Sequence, residues 1–273
     1  MDRLETIPSD PERIGEASIA RVQDRAVTAV ILAAGVARRL APLTDHTQKS
    51  LLPVAGRAIL ARMLEALHAV GVRRVVIVVG HCADQVRALV ASAPPGMTVE
   101  CVHNPAYQKG SVLSLLTARD VILRESTLIM DADVVFPREF LRRLVSSTAP
   151  NALLIDRGFA DTGEEVKIYT QGDRVIALGK KVTPTTWDLV GEGIGFFKCG
   201  AEAGPDLVRL LEHVSDESQG LCEYEDALHL IVSRQRVAAV DVTGLPWTEV
   251  DFVEDLRRAD AEVFPQIARL EGE

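Results

Sequence analysis

The sequence predicts an α/β fold, a doubly wound and mostly parallel sheet of Rossmann-like type followed by a smaller α+β part. Three observations carry this reading. From Ala26 onward, strand-like and helix-like patterns alternate through the first half of the 273-residue chain. The strand patterns are near-continuous Val, Ile and Leu runs, as strands buried on both faces require. After Pro150 the alternation gives way to shorter strands joined by turns, and helices return later.

The elements follow in order. "AVTAVILAA" reads as the first strand, and "AILARMLEALHAVG" as a helix whose apolar residues recur every three or four positions. "RRVVIVVG", "MTVECV" and "STLIMDAD" are further strands, separated by helices at "ADQVRALVAS" and "SVLSLLTARDVI". Beyond Pro150, "NALLIDRG", "EEVKIYTQGDRVIALGKK" and "LVGEGIGFFKC" read as strands, with a hairpin turn at "QGD". Helices are expected at "GPDLVRLLEHV", "EYEDALHLIVSR" and "DFVEDLRRADAEVF", with one more strand at "RVAAVDVT". Residues 1–25 read as an N-terminal extension, in which Ser9 and Glu12 have the spacing of a capping box. Residues 26–265 are expected to form a single domain of two halves, 26–150 and 151–265.

Composition narrows the function. Thirty Lys and Arg against thirty-nine Asp and Glu give a net charge of -9, which offers nucleic acid and anionic membranes no general attraction. No run approaches a membrane span, and the acidic N-terminus lacks the apolar core of a signal peptide, so a cytoplasmic protein is expected. The four cysteines are widely spaced and suggest neither a zinc site nor a disulfide framework. His81, His103 and His229 show no metal-ligand spacing, and Ser111 has no recognisable triad partners.

Any anion must therefore be held locally, and the loop after the first strand is the natural place. Ligands of doubly wound sheets bind beyond the carboxyl ends of the strands, where Gly35, Arg38, Arg39 and Lys49 lie. They read either as a phosphate cradle or as a solvated loop with a charged lip. "GVARRL" matches neither a dinucleotide fingerprint nor a Walker loop. Asp131 and Asp133 end a later apolar strand with both side chains on one side, where they can cap the helix at "PREFLRRLV".

The stretch "ILAAGVARRLAPLTDHTQKSLLPVAGRAIL" resembles the signature of the nucleotidyltransferases that activate phosphorylated small molecules, L-A-A-G-x-G-x-R followed by P-K-x-L. The resemblance implies the nucleotidyltransferase fold, of GT-A-like type, and places the backbone of Leu32, Ala33, Ala34 and Gly35 against base and ribose. It assigns Arg39 to the triphosphate and Lys49 to the α-phosphate, with Arg38 as an extra contact or a surface charge. Two positions depart from the pattern. Ala37 replaces the second glycine, which strains the loop if the backbone there is left-handed, and Gln48 replaces the proline before the lysine.

Other segments extend the likeness. "LIMDADVVF" puts Asp133 where the family holds Mg²⁺, and "WTEVDFVEDLRRA" implies Asp251, then Glu249, as further ligands, Asp251 being alternatively a helix cap. "HNPAYQKGSVLSLLTA" is similar to cytidylyltransferases acting on phosphocholine, 2-aminoethylphosphonate or inositol 1-phosphate, and adds Ser111 to the nucleotide contacts. "VIALGKKV" and "GEGIGFFKC" imply Lys180 for the acceptor phosphate, or else a solvated hairpin end, and Glu192 for the rest of the acceptor, while Trp187, Tyr224 and Trp247 read either as lining of that acceptor pocket or as core. Residues 26–150 would then be the nucleotide-binding half and 151–265 the acceptor-binding half. The implied partners are CTP and a small phosphorylated acceptor, with Mg²⁺ as cofactor and a homodimer as an option. Competing readings are a sugar-1-phosphate enzyme using UTP, dTTP or GTP, and an inactive nucleotide sensor.

Overall fold

The computed structural model describes residues 27–272; the expected extension 1–25, with its Ser9 and Glu12 cap, lies outside the described residues. The first half contributes strands β1 (Val27–Ala33), β4 (Arg74–Val79), β5 (Thr98–His103) and β6 (Ser126–Asp131), with a small hairpin of β2 (Pro53–Val54) and β3 (Arg57–Ala58) between β1 and β4. Its helices are α1 (Ile59–Ala69), α2 (Ala83–Val90), α3 (Ser111–Thr117) and α4 (Arg119–Ile122). The helix expected over "SVLSLLTARDVI" is thus two, broken where Ala118 leaves helical geometry at φ −95° and ψ 11°.

Next come β7 (Val134–Val135), α5 (Arg138–Ser146), β8 (Ala152–Asp156), the hairpin β9 (Lys167–Gln171) and β10 (Arg174–Gly179), and β11 (Leu189–Cys199). The chain ends with α6 (Gly204–Ser218), α7 (Tyr224–Ile231), β12 (Ala238–Asp241), β13 (Thr248–Glu249), α8 (Val253–Arg258) and α9 (Phe264–Glu271). A π-turn, Ala259–Val263, separates the last two helices just before Pro265, whose missing N–H a regular helix tolerates only in its first turn. α9 runs past residue 265, the expected domain end, and buries Ile267.

Among the described residues nine strands form one sheet, in the order β5-β4-β1-β6-β11-β8-β12-β10-β9. β5, β4, β1 and β6 are parallel, in register from Val27↔Ser126 to Leu32↔Asp131 across β1 and β6. Side chains alternate across β1, so Ala29, Ile31 and Ala33 join one apolar layer and Val30 the other. Both layers are covered, which explains why these strands read as unbroken apolar runs.

The second half is mixed. β11 lies antiparallel to β6, β8 and β9, reaching all three across an irregularity between Gly193 and Phe197. Within it Gly195 takes φ +74°, and a Cβ there would collide with the Asp131 carboxylate. A third apolar cluster joins Leu40 and Leu52 of the first loop to Val135, Val250 and Ile267. It docks the C-terminal segment on the Arg38 loop and so sets the walls of the cleft.

Gly195→Ala is expected to destabilise the protein by about 2–3 kcal/mol, from left-handed strain plus the clash with Asp131. Urea unfolding tests this, with a lowered midpoint and an unchanged slope as the expected outcome.

Candidate active site

Beyond the carboxyl ends of β1 and β6 lies a cleft of about 1330 Å³. Its first wall is the loop after β1. A Cβ at Gly35 would meet nothing within 4 Å, so the protein itself does not demand this glycine; its absent side chain leaves bare backbone facing the cleft. Leu32 and Ala34 line the cleft as well. Ala33 does not: it is fully buried, and its carbonyl accepts from Gln48 Nε2 at 2.9 Å. The expected Ala33 contact is corrected on that ground.

Ala37 has φ 52° and ψ 53°, so this position needs the left-handed backbone that glycine adopts freely and alanine adopts at a cost of about 1–2 kcal/mol. Thr44 Oγ1 donates to the Ala37 carbonyl at 2.9 Å, as does Leu40 N–H at 3.0 Å, and these bonds hold the strained turn. Arg38 and Arg39 follow on a single 3₁₀ turn and are exposed. Arg39 Nη2 lies 2.6 Å from Asp251 Oδ2, with its guanidinium 4.9 Å from the centre of the Phe252 ring. Arg38 makes no ion pair among the described residues.

Lys49 opens a second 3₁₀ turn, Lys49–Leu51. Its Nζ lies 2.7 Å from Asp133 Oδ2 and 2.6 Å from Asp251 Oδ1, with only 11% of the side chain exposed. Burial alone would lower its pKa, but the Asp133 and Asp251 carboxylates outweigh that and hold it above the usual lysine range. The ammonium is therefore permanently charged.

The two aspartates meet through a two-stranded ribbon. β7 pairs with β13 at Thr248↔Val135 and Glu249↔Val134, and Val250 N–H donates to the Asp133 carbonyl at 3.0 Å. One carboxylate oxygen from each of Asp133, Glu249 and Asp251 falls within 4.8 Å of the others. Neither aspartate is a helix cap: α5 follows Pro137 without a side-chain cap, and the Asp255 carboxylate accepts from the N–H groups of Asp251 and Phe252 ahead of α8. Asp133 Oδ1 is buried without a hydrogen-bond partner. An all-carboxylate set with an unsatisfied buried oxygen suits a hard divalent cation.

Charge accumulates around this floor. Glu249 is open to the cleft but poorly hydrated, and that loss of water, with the Asp133 and Asp251 charges, pushes its carboxyl up to about 8. Burial, then the Glu225, Asp133 and Glu249 charges, raises Asp131 well above the carboxylate range, and the Tyr224 hydroxyl donates to Asp131 Oδ2 at 2.9 Å. Asp131 also lines the cleft, with Gly195 and Tyr224 packed against its carboxylate.

Lys180 follows β10 and lies near Glu225, whose Oε2 is buried and unpaired; burial pushes this carboxyl up to about 7 against the pull of Lys180. Glu192 is also raised to about 7, by burial and then by the Glu165 and Asp156 charges, with Arg258 opposing. Trp247 Nε1 donates to Asp156 Oδ2 at 2.8 Å, which fixes the indole at the cleft wall. Ser111 lines the cleft at the start of α3, where its Oγ accepts from Tyr224 N–H at 2.9 Å.

The sequence left Tyr224 open between pocket and core and carried no signal for Glu225, Asp156, Glu165 and Arg258; all five line the cleft. "EYED" was legible as a helix start, but nothing in it announces a neighbour on β6. His81, His103 and His229 stay outside the cleft lining, and the four cysteines are free thiols. No helix among the described residues is long and apolar enough to cross a membrane.

The chain is similar to several known proteins. Residues 29–168 match the MobA-like NTP transferase domain. The bifunctional IPC transferase and DIPP synthase of Rubrobacter xylanophilus is 32% identical over 87% of this chain; the chain spans only 52% of that relative's length. The 2-aminoethylphosphonate cytidylyltransferase of Lancefieldella rimae is 30% identical over 69% of this chain and 72% of the relative. Among solved structures, the inositol-1-phosphate CTP transferase from T. maritima superposes with a TM-score of 0.74 at 20% identity, covering 91% of this chain and 98% of that one.

Glu192 sets a pH dependence. Its carboxyl is raised in the fold from the ordinary glutamate value of 4.5 to about 7, so the folded state favours the protonated form. Its contribution to stability is complete below the unfolded value and is lost as pH rises through about 7. In metal-free protein, Glu192→Gln is expected to show a smaller fall in Tm between about pH 5 and about pH 8 than the parent chain. Thermal scans check this; equal falls would contradict the assignment.

Proposed function

Because the chain belongs to the MobA-like NTP transferase family, we propose that it transfers a cytidylyl group from CTP to a small phosphorylated alcohol or phosphonate, releasing pyrophosphate. The single observation that carries this is the Lys49 ammonium held against Asp133 and Asp251 at the rim where the Gly35 backbone lies bare. A relative is named a 2-aminoethylphosphonate cytidylyltransferase and a structural neighbour an inositol-1-phosphate CTP transferase, and these names support that acceptor class.

In this reading an acceptor oxygen attacks the α-phosphorus, a new P–O bond forms, and the bond to the β-phosphate oxygen breaks as pyrophosphate leaves. A phosphate monoester has its second pKa near ~6 and arrives ionised, so no side chain has to remove a proton. What remains is to bring two polyanions into line and to neutralise the charge that gathers at the α-phosphate. Leu32, Ala34 and Gly35 would take the nucleoside, with Ser111 on the opposite wall. Arg38 and Arg39 would take the outer phosphates, with Lys49 at the α-phosphate.

Asp133, Glu249 and Asp251 would hold Mg²⁺, which supplies charge neutralisation and a template for the phosphates. Lys180 would meet the acceptor's phosphate, and Glu192 and Trp247 would line the remainder of the acceptor site. Lys49 and Arg39 both pair with Asp251. Phosphates entering the cleft offer both cations stronger partners and free the carboxylates for the cation.

Lys49→Ala is expected to lower turnover, followed as pyrophosphate release from CTP with acceptor, on the order of 10²-fold or more. Near-parental turnover by the folded variant would remove Lys49 from the α-phosphate. Asp133→Asn is expected to abolish divalent-cation-dependent turnover; dependence retained at the parental cation concentration would place the metal elsewhere.

A further inference from the structure

Gln48 occupies a backbone position that suits proline, with φ −68° and ψ 136°. The role of this residue therefore lies in what proline lacks, an N–H and an amide side chain. The residue is buried, at 3% exposure. Its Nε2 donates to the Ala33 carbonyl at 2.9 Å. Its Oε1 accepts from both the N–H and the hydroxyl of Ser50, itself 1% exposed, and so caps the 3₁₀ turn that begins at Lys49. Its own N–H donates to Gln85 Oε1 at 3.2 Å, while Gln85 Nε2 donates to the His46 carbonyl at 2.6 Å.

Each polar group of the amide thus has a buried partner, and the partners belong to different elements. Ala33 is the last residue of β1, where pairing with β6 has already ended at Leu32↔Asp131. Ser50 lies inside the turn that carries the lysine. A single carboxamide therefore fixes the root of Lys49 against the end of the strand, while Asp133 and Asp251 hold its tip. An apolar residue of the same length would leave the Ala33 carbonyl and both Ser50 donors without that partner, a penalty that a buried turn relieves by shifting.

We propose that Gln48 is the positioning residue of Lys49, setting the distance between the backbone that meets the nucleoside and the ammonium that meets the α-phosphate. This rests on the nucleotidyl-transfer reading. A lysine displaced by as little as ~1 Å binds substrate in the ground state but stabilises the transition state poorly, with losses up to about 10²-fold.

The test is a double-mutant cycle in the full chain, following pyrophosphate release with CTP and acceptor. Gln48→Met is expected to lower kcat by about 10- to 100-fold while KM for CTP stays within about threefold. In a Lys49→Ala background, adding Gln48→Met is expected to change kcat by less than about twofold, because the group it positions is gone. Gln48→Glu keeps the acceptor for Ser50 but removes the donor to Ala33; it is expected to lower kcat in the same Lys49-dependent way. It carries the test should circular dichroism show that Gln48→Met does not fold. Equal fold-losses in both backgrounds, or a rise in KM alone, would overturn the positioning role. Parental kcat in the Gln48 variants alongside an impaired Lys49→Ala would overturn it and leave the transfer reading standing; parental turnover by Lys49→Ala would overturn both.

Discussion

The contact of Lys49 with Asp133 and Asp251 is the constraint on which the cleft depends. Without a cation among them, three carboxylates whose oxygens lie within 4.8 Å of one another would repel and open the floor. The ammonium at 2.7 and 2.6 Å neutralises that repulsion and draws together residues 202 positions apart in the chain. The arrangement also shows how a chain of net charge -9 can meet the proposed triphosphate with local positive charge. Arg39 and Lys49 stand at one rim, paired with the carboxylates that would hold the metal.

The remaining architecture serves that contact. The parallel strands deliver Gly35 and Asp133 to the same edge of the sheet, as doubly wound folds do. The ribbon of β7 and β13 then brings Glu249 and Asp251 across, and the apolar cluster of Leu40, Val135, Val250 and Ile267 locks the C-terminal segment over the loop. Gln48 and Thr44 stiffen the loop from within, one at the lysine and one at the left-handed Ala37. A loop of ordinary residues acquires the rigidity that charge placement at a phosphate requires.

The parallel half was legible because strands buried on both faces must be apolar at every position, and a run such as "RRVVIVVG" leaves few alternatives. The place of β11 was not: nothing local in "LVGEGIGFFKC" says that it inserts antiparallel beside β6, since strand order is decided by long-range pairing. Lys49, Asp133 and Asp251 were legible from segment patterns that resemble a known family, although not their mutual contact, which needs a ribbon two residues long on each side. Ala37 and Gln48 could be seen only as departures. The sign of φ at Ala37 and the partners of the Gln48 amide exist only in three dimensions. Ala33 was misplaced because a backbone signature does not say which of its residues turn their polar groups inward. Family membership, shown by the match over residues 29–168, supports the reaction class, and the roles of the cleft residues are proposed from their geometry.

Phosphorus-31 NMR of the reaction mixture tests the central claim most directly, with the protein, a divalent cation, each of the four NTPs in turn, and a panel of phosphorylated alcohols, phosphonates and sugar 1-phosphates. The account predicts that CTP is consumed with a phosphorylated alcohol or phosphonate, giving pyrophosphate and a new phosphoric anhydride linkage on the acceptor. Preferred consumption of UTP, dTTP or GTP with a sugar 1-phosphate, or no consumption of any NTP by the folded protein, would contradict it.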